Sequence, residues 1–283
     1  MTDGAVGRTT AENAELALLL EVAGTPKPGN VDRHRECDDL RFEQFLAGAV
    51  GAREGFRRAA AGDPLGAAFR RAIEGMSAQR GGNTQFGAVL LTTPLVAAAG
   101  RDALSPAGAS AVVAETTVSD AAAFYRAFEA VDVAVADPPE GMEPLDVRRG
   151  SEAVPVLKRR GLALADVMER SADRDGVARE LVGGFERTFG AAASLREREG
   201  PVTDRAAAVF LDLLAEEPDT FVAIQHDRET AEWVTERARA ARDGDLDPEE
   251  LAETLVDREI NPGTTADVVA AGLFVALERG MPV

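Results

Sequence analysis

Along most of this chain apolar residues return every three or four positions, the spacing that lines one face of an α-helix. Phe42, Phe45, Leu46, Ala49, Val50 and Phe56 form one such stripe, and Val209, Leu213 and Leu214 belong to another. Alternation with a period of two is scarce, and Val131 to Ala136 is the main ambiguous run. Breaks fall where helix-stopping residues gather: near Gly24, Gly62, Gly81, Gly100, Asp137 to Gly150, Gly200, Glu217 to Asp219, Gly244 to Pro248 and Asn261 to Gly263. The pattern predicts an all-α fold of roughly ten or more helices. With 283 residues, one domain over 1–283 is expected, and the Pro-rich stretch 137–150 is the candidate lobe break.

Composition narrows the partners. The formal charge is −18, with acidic residues spread along the chain. Nucleic acid and anionic membrane both demand a basic footprint, so neither is expected as a partner. The longest apolar run, Gly87 to Gly100, is broken by Thr92, Thr93 and Pro94, and nothing approaches the about 18 residues of a membrane span. Cys37 is the single cysteine, and His34 and His226 are the only histidines, so neither an intrachain disulfide nor a histidine-based metal site is expected. The N-terminus lacks a signal-peptide pattern, and a cytoplasmic protein is expected. A diffuse acidic surface with many alanines and few aromatics reads as adaptation to high salt, where screening shortens from about 8 Å to about 3 Å.

Three loop motifs carry the candidate chemistry: PKPGNVD at Pro26 to Asp32, GGNTQFG at Gly81 to Gly87, and NPGTTAD at Asn261 to Asp267. Each abuts a predicted helix end, where backbone amides are free and anions are favoured. The chain has two lysines, Lys27 and Lys158, against 29 arginines, and Lys27 lies inside the first motif. There Lys27 offers a point charge for phosphate, Gly29 a close backbone approach, and Asp32 a hard oxygen for magnesium or a base. Glu21, one turn earlier in LALLLEVAG, is a carboxylate in apolar company, which raises its pKa or demands a partner. A solvated Glu21 beside a stiff turn fits the same pattern.

In the second motif Asn83 or Thr84 can cap the helix that runs through Gly87, and no Walker-type pattern is present. Taken alone, it reads as an N-cap after a glycine hinge. In the third motif Thr264 is the expected N-cap, with Asp267 three residues on in capping-box geometry. The functional reading places Asp267 with Asp32 around one magnesium ion on a polyphosphate. Asn261, Gly263 and Thr264 then join Asn83, Thr84 and Gly87 as candidate substrate-binding residues.

At these residues the chain resembles the triphosphoribosyl-dephospho-CoA synthase family. The matching strips are LLLEVAGTPKPGNVDR, GGNTQFGAVLL and INPGTTADVVA, in the family's order, with helical character over nearly the full length. The resemblance implies an all-α fold with the nucleotide site built from helix-end loops, and a haloarchaeal-type member. It also implies a reaction in which ATP and 3'-dephospho-CoA give 2'-(5''-triphosphoribosyl)-3'-dephospho-CoA plus adenine. Magnesium accompanies ATP in that reading, and a homodimer is kept as an expectation. Lys27 and the amides around Asn83 and Thr84 would hold phosphates, Asp32 and Asp267 would bind magnesium or one of them act as base, and Glu21 is the other candidate carboxylate beside the sugar. In the family strip matching PDTFVAIQHD a basic pair follows the aspartate; here Ile224 and Gln225 stand in those places, with His226 or Arg228 as substitutes. A kinase or hydrolase on the same pocket, or a nucleotide-binding protein without turnover, are the competing readings.

Overall fold

The computed structural model describes residues 7–37, 40–138 and 141–283. The first six helices are α1 (Thr10–Ala23), α2 (Phe42–Ala60), α3 (Leu65–Met76), α4 (Phe86–Gly100), α5 (Pro106–Ala114) and α6 (Val118–Ala127). After an irregular strap and two 3-10 segments come α7 (Val154–Arg160), α8 (Leu164–Ser171), α9 (Gly176–Val182), α10 (Glu186–Glu197) and α11 (Val202–Glu216). The chain closes with α12 (Thr220–Gln225), α13 (Arg228–Asp243), α14 (Pro248–Asp257) and α15 (Gly263–Glu278). Among the described residues the only extended pairing is a Cys37–Leu40 bridge, so the fold is all-α. No described helix is long and apolar enough to cross a membrane.

Two helices apolar on nearly every side occupy the middle, where such sequences belong. α4 buries Phe86 and the run from Ala88 to Ala98, and α15 buries Thr264 to Ala266 and Val268 to Leu277. They pack on each other, with α1, α2 and α10 around them. α1 starts with a capping box in which Thr9 and Glu12 bond reciprocally. Its apolar face, Ala14, Ala17 and Leu18, is fully buried. In α2 the predicted stripe holds at Phe45, Ala49 and Phe56, but Val50 is 57% exposed, since it falls on the outward side of the same turn.

The ambiguous run Val131 to Ala136 is irregular backbone. It continues through two 3-10 segments, Glu143–Leu145 and Val147–Ala153. The strap is anchored by the Tyr125 hydroxyl, which donates to the Leu145 carbonyl at 2.7 Å. Its position matters more than its lack of helix, because it closes one side of a cavity onto which α4, α9, α12 and α15 all open at their N-terminal ends.

Candidate functional site

The cavity measures about 550 Å³, within the roughly 300–1,000 Å³ usual for small-molecule sites. Each of the four helix starts brings amides and the positive end of a dipole to its wall. Short polar side chains hold them there. Asn83 Oδ1 accepts from the Phe86 amide at 3.1 Å. Asp175 accepts from Val177 and Ala178 at 2.8 and 3.1 Å. One oxygen of Asp219 accepts from Phe221 and Val222, and the other accepts from the amide and hydroxyl of Thr265, both at 2.7 Å. Asp219 therefore binds the starts of α12 and α15 together. Thr220 Oγ1 completes the bracket, accepting from the Gly176 amide at 2.9 Å and meeting Thr264 Oγ1 at 3.0 Å. An apolar wall of Phe86, Phe124 and Phe128 faces the same space, with the Phe86 and Phe128 ring centroids 4.8 Å apart.

The electrostatics of the inner wall are strongly acidic. Burial pushes the Glu21 carboxyl above its ordinary range, opposed by the Lys27 ammonium bonded to it. Asp267 is pushed well above the usual carboxylate range, first by burial and then by the negative charges of Glu21, Asp219 and Asp175. Only the Ala88 amide, among these causes, pulls it down. Asp175 and Asp219 are also raised, again mainly by burial, against the pull of the amides they cap. Two polar atoms at the start of α4, Thr84 Oγ1 and Gln85 Oε1, are buried without a hydrogen-bond partner. Thr84 Oγ1 packs against α2, where a Cβ on Gly48 would stand 2.6 Å from it.

The three motifs meet here in part. Glu21 precedes the first motif; Asn83, Thr84 and Gly87 come from the second; Asn261, Gly263, Thr264 and Asp267 come from the third; all line the cavity. Gly87 is required because a Cβ there would stand 1.9 Å from Asp267 Oδ2. Three expectations for the first motif need correction. Asp32 lies outside the cavity wall, fully buried, and accepts from five donors: the Thr25 hydroxyl, the amides of Lys27, His34 and Arg35, and the Arg35 guanidinium. Its lone pairs are spent on folding the loop. Lys27 is fully buried against Glu21, off the cavity surface, so it cannot reach a phosphate without breaking that pair. Gly29 does allow a close approach, but to protein: at φ +75° its Cβ would lie 2.1 Å from the Ile260 carbonyl.

The third motif departs from its predicted cap. α15 begins at Gly263 after Pro262, so Thr264 sits inside the first turn, bonded to Thr220, and Asp267 makes no capping box. Ile224 and Gln225 do line the cavity, whereas His226 bonds the Glu259 carbonyl and Arg228 pairs with Glu232 outside it. Neither substitutes for a basic pair. Asn30, Gln85, Asp175 and Thr220 also line the site and went unnamed from sequence. Asp175 and Asp219 had a readable signal, an acidic residue immediately before a helix start. Among the described residues no three His, Cys, Asp or Glu side chains are grouped to hold a metal ion. With Asp32 turned inward, the Asp32–Asp267 pair does not fit as a magnesium seat.

The family profile described as CitG, ATP:dephospho-CoA triphosphoribosyl transferase, matches residues 7–282. Among solved structures the chain is similar to a protein from Archaeoglobus fulgidus described as a triphosphoribosyl-dephospho-CoA synthase. Identity is 27% over 84% of this chain and 100% of that one, with a TM-score of 0.67. No curated protein matches the sequence.

Proposed function

The chain belongs to the ATP:dephospho-CoA triphosphoribosyl transferase family, and from that premise we propose how its cavity carries out the transfer. The enzyme moves the triphosphoribosyl group of ATP onto dephospho-CoA and releases adenine. The C1'–N9 bond of ATP breaks, a bond from C1' to an acceptor ribose hydroxyl forms, and the hydroxyl proton is balanced by one delivered to adenine. Such a reaction needs a proton donor for the leaving base, a group to take the hydroxyl proton, and negative charge beside an oxocarbenium-like carbon.

Two carboxylates in unlike surroundings are the usual means of dividing these tasks. Asp267 has three carboxylates for neighbours, which favours its protonated form and suits it to protonate the departing adenine. Burial raises Glu21 as well, but Lys27 at its side pulls it toward the ionised form, which suits it to face the developing positive charge and accept the hydroxyl proton. The observation that carries this reading is that Glu21 and Asp267, from opposite ends of the chain, line one cavity and interact through their charges. Asn83, Thr84, Gly87, Asn261, Gly263 and Thr264 are proposed as substrate contacts on its helix-start wall.

We extend the same proposal to a cytoplasmic, high-salt setting, supported by ATP as donor and by the −18 charge. The test is incubation of the purified chain with ATP and 3'-dephospho-CoA in molar potassium chloride. Free adenine and the mass of the conjugate are followed together. Equimolar adenine and conjugate are expected. ADP or phosphate in place of adenine would sink the reading.

A further inference from the structure

Among the described residues lining the cavity, only Arg170 and Arg174 carry positive charge. Six carboxylates share the space: Glu21, Asp132, Asp137, Asp146, Asp175 and Asp267. Arg170 lies in the last turn of α8 and Arg174 just beyond it, both exposed, whereas Glu21 is 2% exposed. The two arginines stand on the exposed side of the cavity, which they share with Asp132 and Asp137, whereas the inner side carries Glu21, Asp175 and Asp267 with no arginine among its lining residues. Most arginines near it are committed elsewhere: Arg148 to Asp137 and Asp146, and Arg179 and Arg187 to Glu217. The Arg174 guanidinium donates only to the Asp137 carbonyl, at 3.3 Å, and the Arg170 side chain has neither an ion pair nor a hydrogen bond among the described residues.

This arrangement sorts a substrate by charge. A polyphosphate is driven off an interior walled by Glu21, Asp175 and Asp267, while a sugar carbon gaining positive charge is drawn to it. Guanidinium forks are suited to phosphate oxygens and remain charged at any working pH. Lys27, the cation most conspicuous in the sequence, is closed off by Glu21. Resting on the transferase reading above, we infer that Arg170 and Arg174 clamp the triphosphate of the donor at the rim and so point its ribose at Glu21 and Asp267. The donor is favoured over the diphosphate of the acceptor because the triphosphate offers the two guanidinium groups the larger negative charge to bind.

The test compares wild type with Arg170→Ala, Arg174→Ala and the double variant, full chain, in molar potassium chloride. Adenine release is followed against ATP and against 3'-dephospho-CoA, with inorganic tripolyphosphate as inhibitor. Each single variant is expected to raise KM for ATP about tenfold and the double about a hundredfold. The double should also lose inhibition by tripolyphosphate, with KM for 3'-dephospho-CoA unchanged and partial recovery in Arg170→Lys/Arg174→Lys. An unchanged KM for ATP with tripolyphosphate inhibition intact overturns the clamp, as does a rise confined to 3'-dephospho-CoA. If wild type releases no adenine, it is the transferase reading that falls. Calorimetric binding of tripolyphosphate to wild type and double variant then decides the clamp by itself, equal binding refuting it. A variant whose thermal melt is displaced is replaced by its lysine counterpart in the same assays.

Discussion

Asp32 and Asp267 look alike in sequence, each the last residue of a glycine- and asparagine-containing loop motif, yet the fold treats them in opposite ways. Asp32 accepts from five donors and faces its own loop. Asp267 faces the cavity among carboxylates, with one amide directed at it. The first arrangement satisfies a buried charge and fixes backbone; the second leaves a charge poorly satisfied, which costs stability and creates reactivity. What separates a structural acid from a working one here is the number of donors around it, a property assembled from distant parts of the chain.

The contrast breaks most visibly if the two acids are exchanged in role. Asp267→Asn keeps an acceptor for the Ala88 amide but removes the transferable proton, so adenine release should fall about 10²- to 10⁴-fold while the protein stays folded. Asp32→Ala strips five donors of their partner and leaves Arg35 beside an empty place. The expected loss is about 3–5 kcal/mol of unfolding free energy by denaturant titration. A folded, inactive Asp32→Ala protein, or an unfolded Asp267→Asn protein, would reverse the assignment.

The glycines beside these acids sharpen the same contrast. Alanine at position 29 meets the Ile260 carbonyl at 2.1 Å at a backbone angle suited to glycine, and neither backbone can yield easily. Gly29→Ala should therefore cost stability, about 1–3 kcal/mol by urea midpoint. Alanine at position 87 meets the far end of the Asp267 side chain, which can rotate away. Gly87→Ala should melt nearly as wild type and lose turnover, because it displaces the proton donor. Equal effects of both changes on stability, with turnover intact, would remove Gly87 from the site.

The helices could be read from the chain because their apolar faces recur at helical spacing and their ends carry glycine, proline and capping residues. The breaks expected at Gly62, Gly100 and Gly244 fall at or next to helix ends. The assembly of the site was half legible. Asn83 and Asp267 announced themselves by sitting at helix starts, and Glu21 by being acidic in an apolar run. Arg170 and Arg174 stand in an ordinary polar stretch, and only the packing of α8 brings them to the cavity that Asn83 and Asp267 line. Lys27 misled for a matching reason: a lone lysine beside prolines gives no sign that Glu21, six residues earlier, will fold back and cover it.

The smallest effect expected is a pH dependence of stability that tells a crowded acid from a satisfied one. The native carboxyl of Asp267 sits well above its ordinary value, so between the unfolded and native pKa values the native state binds the extra proton. The contribution is complete below the unfolded value, about 3.9, and is lost as pH rises through the raised native value. Wild type should therefore lose stability relative to Asp267→Asn as pH rises across that window, with the difference flat above it. At neutral pH the asparagine variant should be the more stable, read as the higher Tm. Asp175 and Asp219 are displaced in the same direction and persist in both proteins, so the difference between the two melting curves isolates Asp267. A wild type that instead gains on the variant as pH rises would mean that Asp267 is ionised beside a cation, and that it belongs with Asp32 among the satisfied acids.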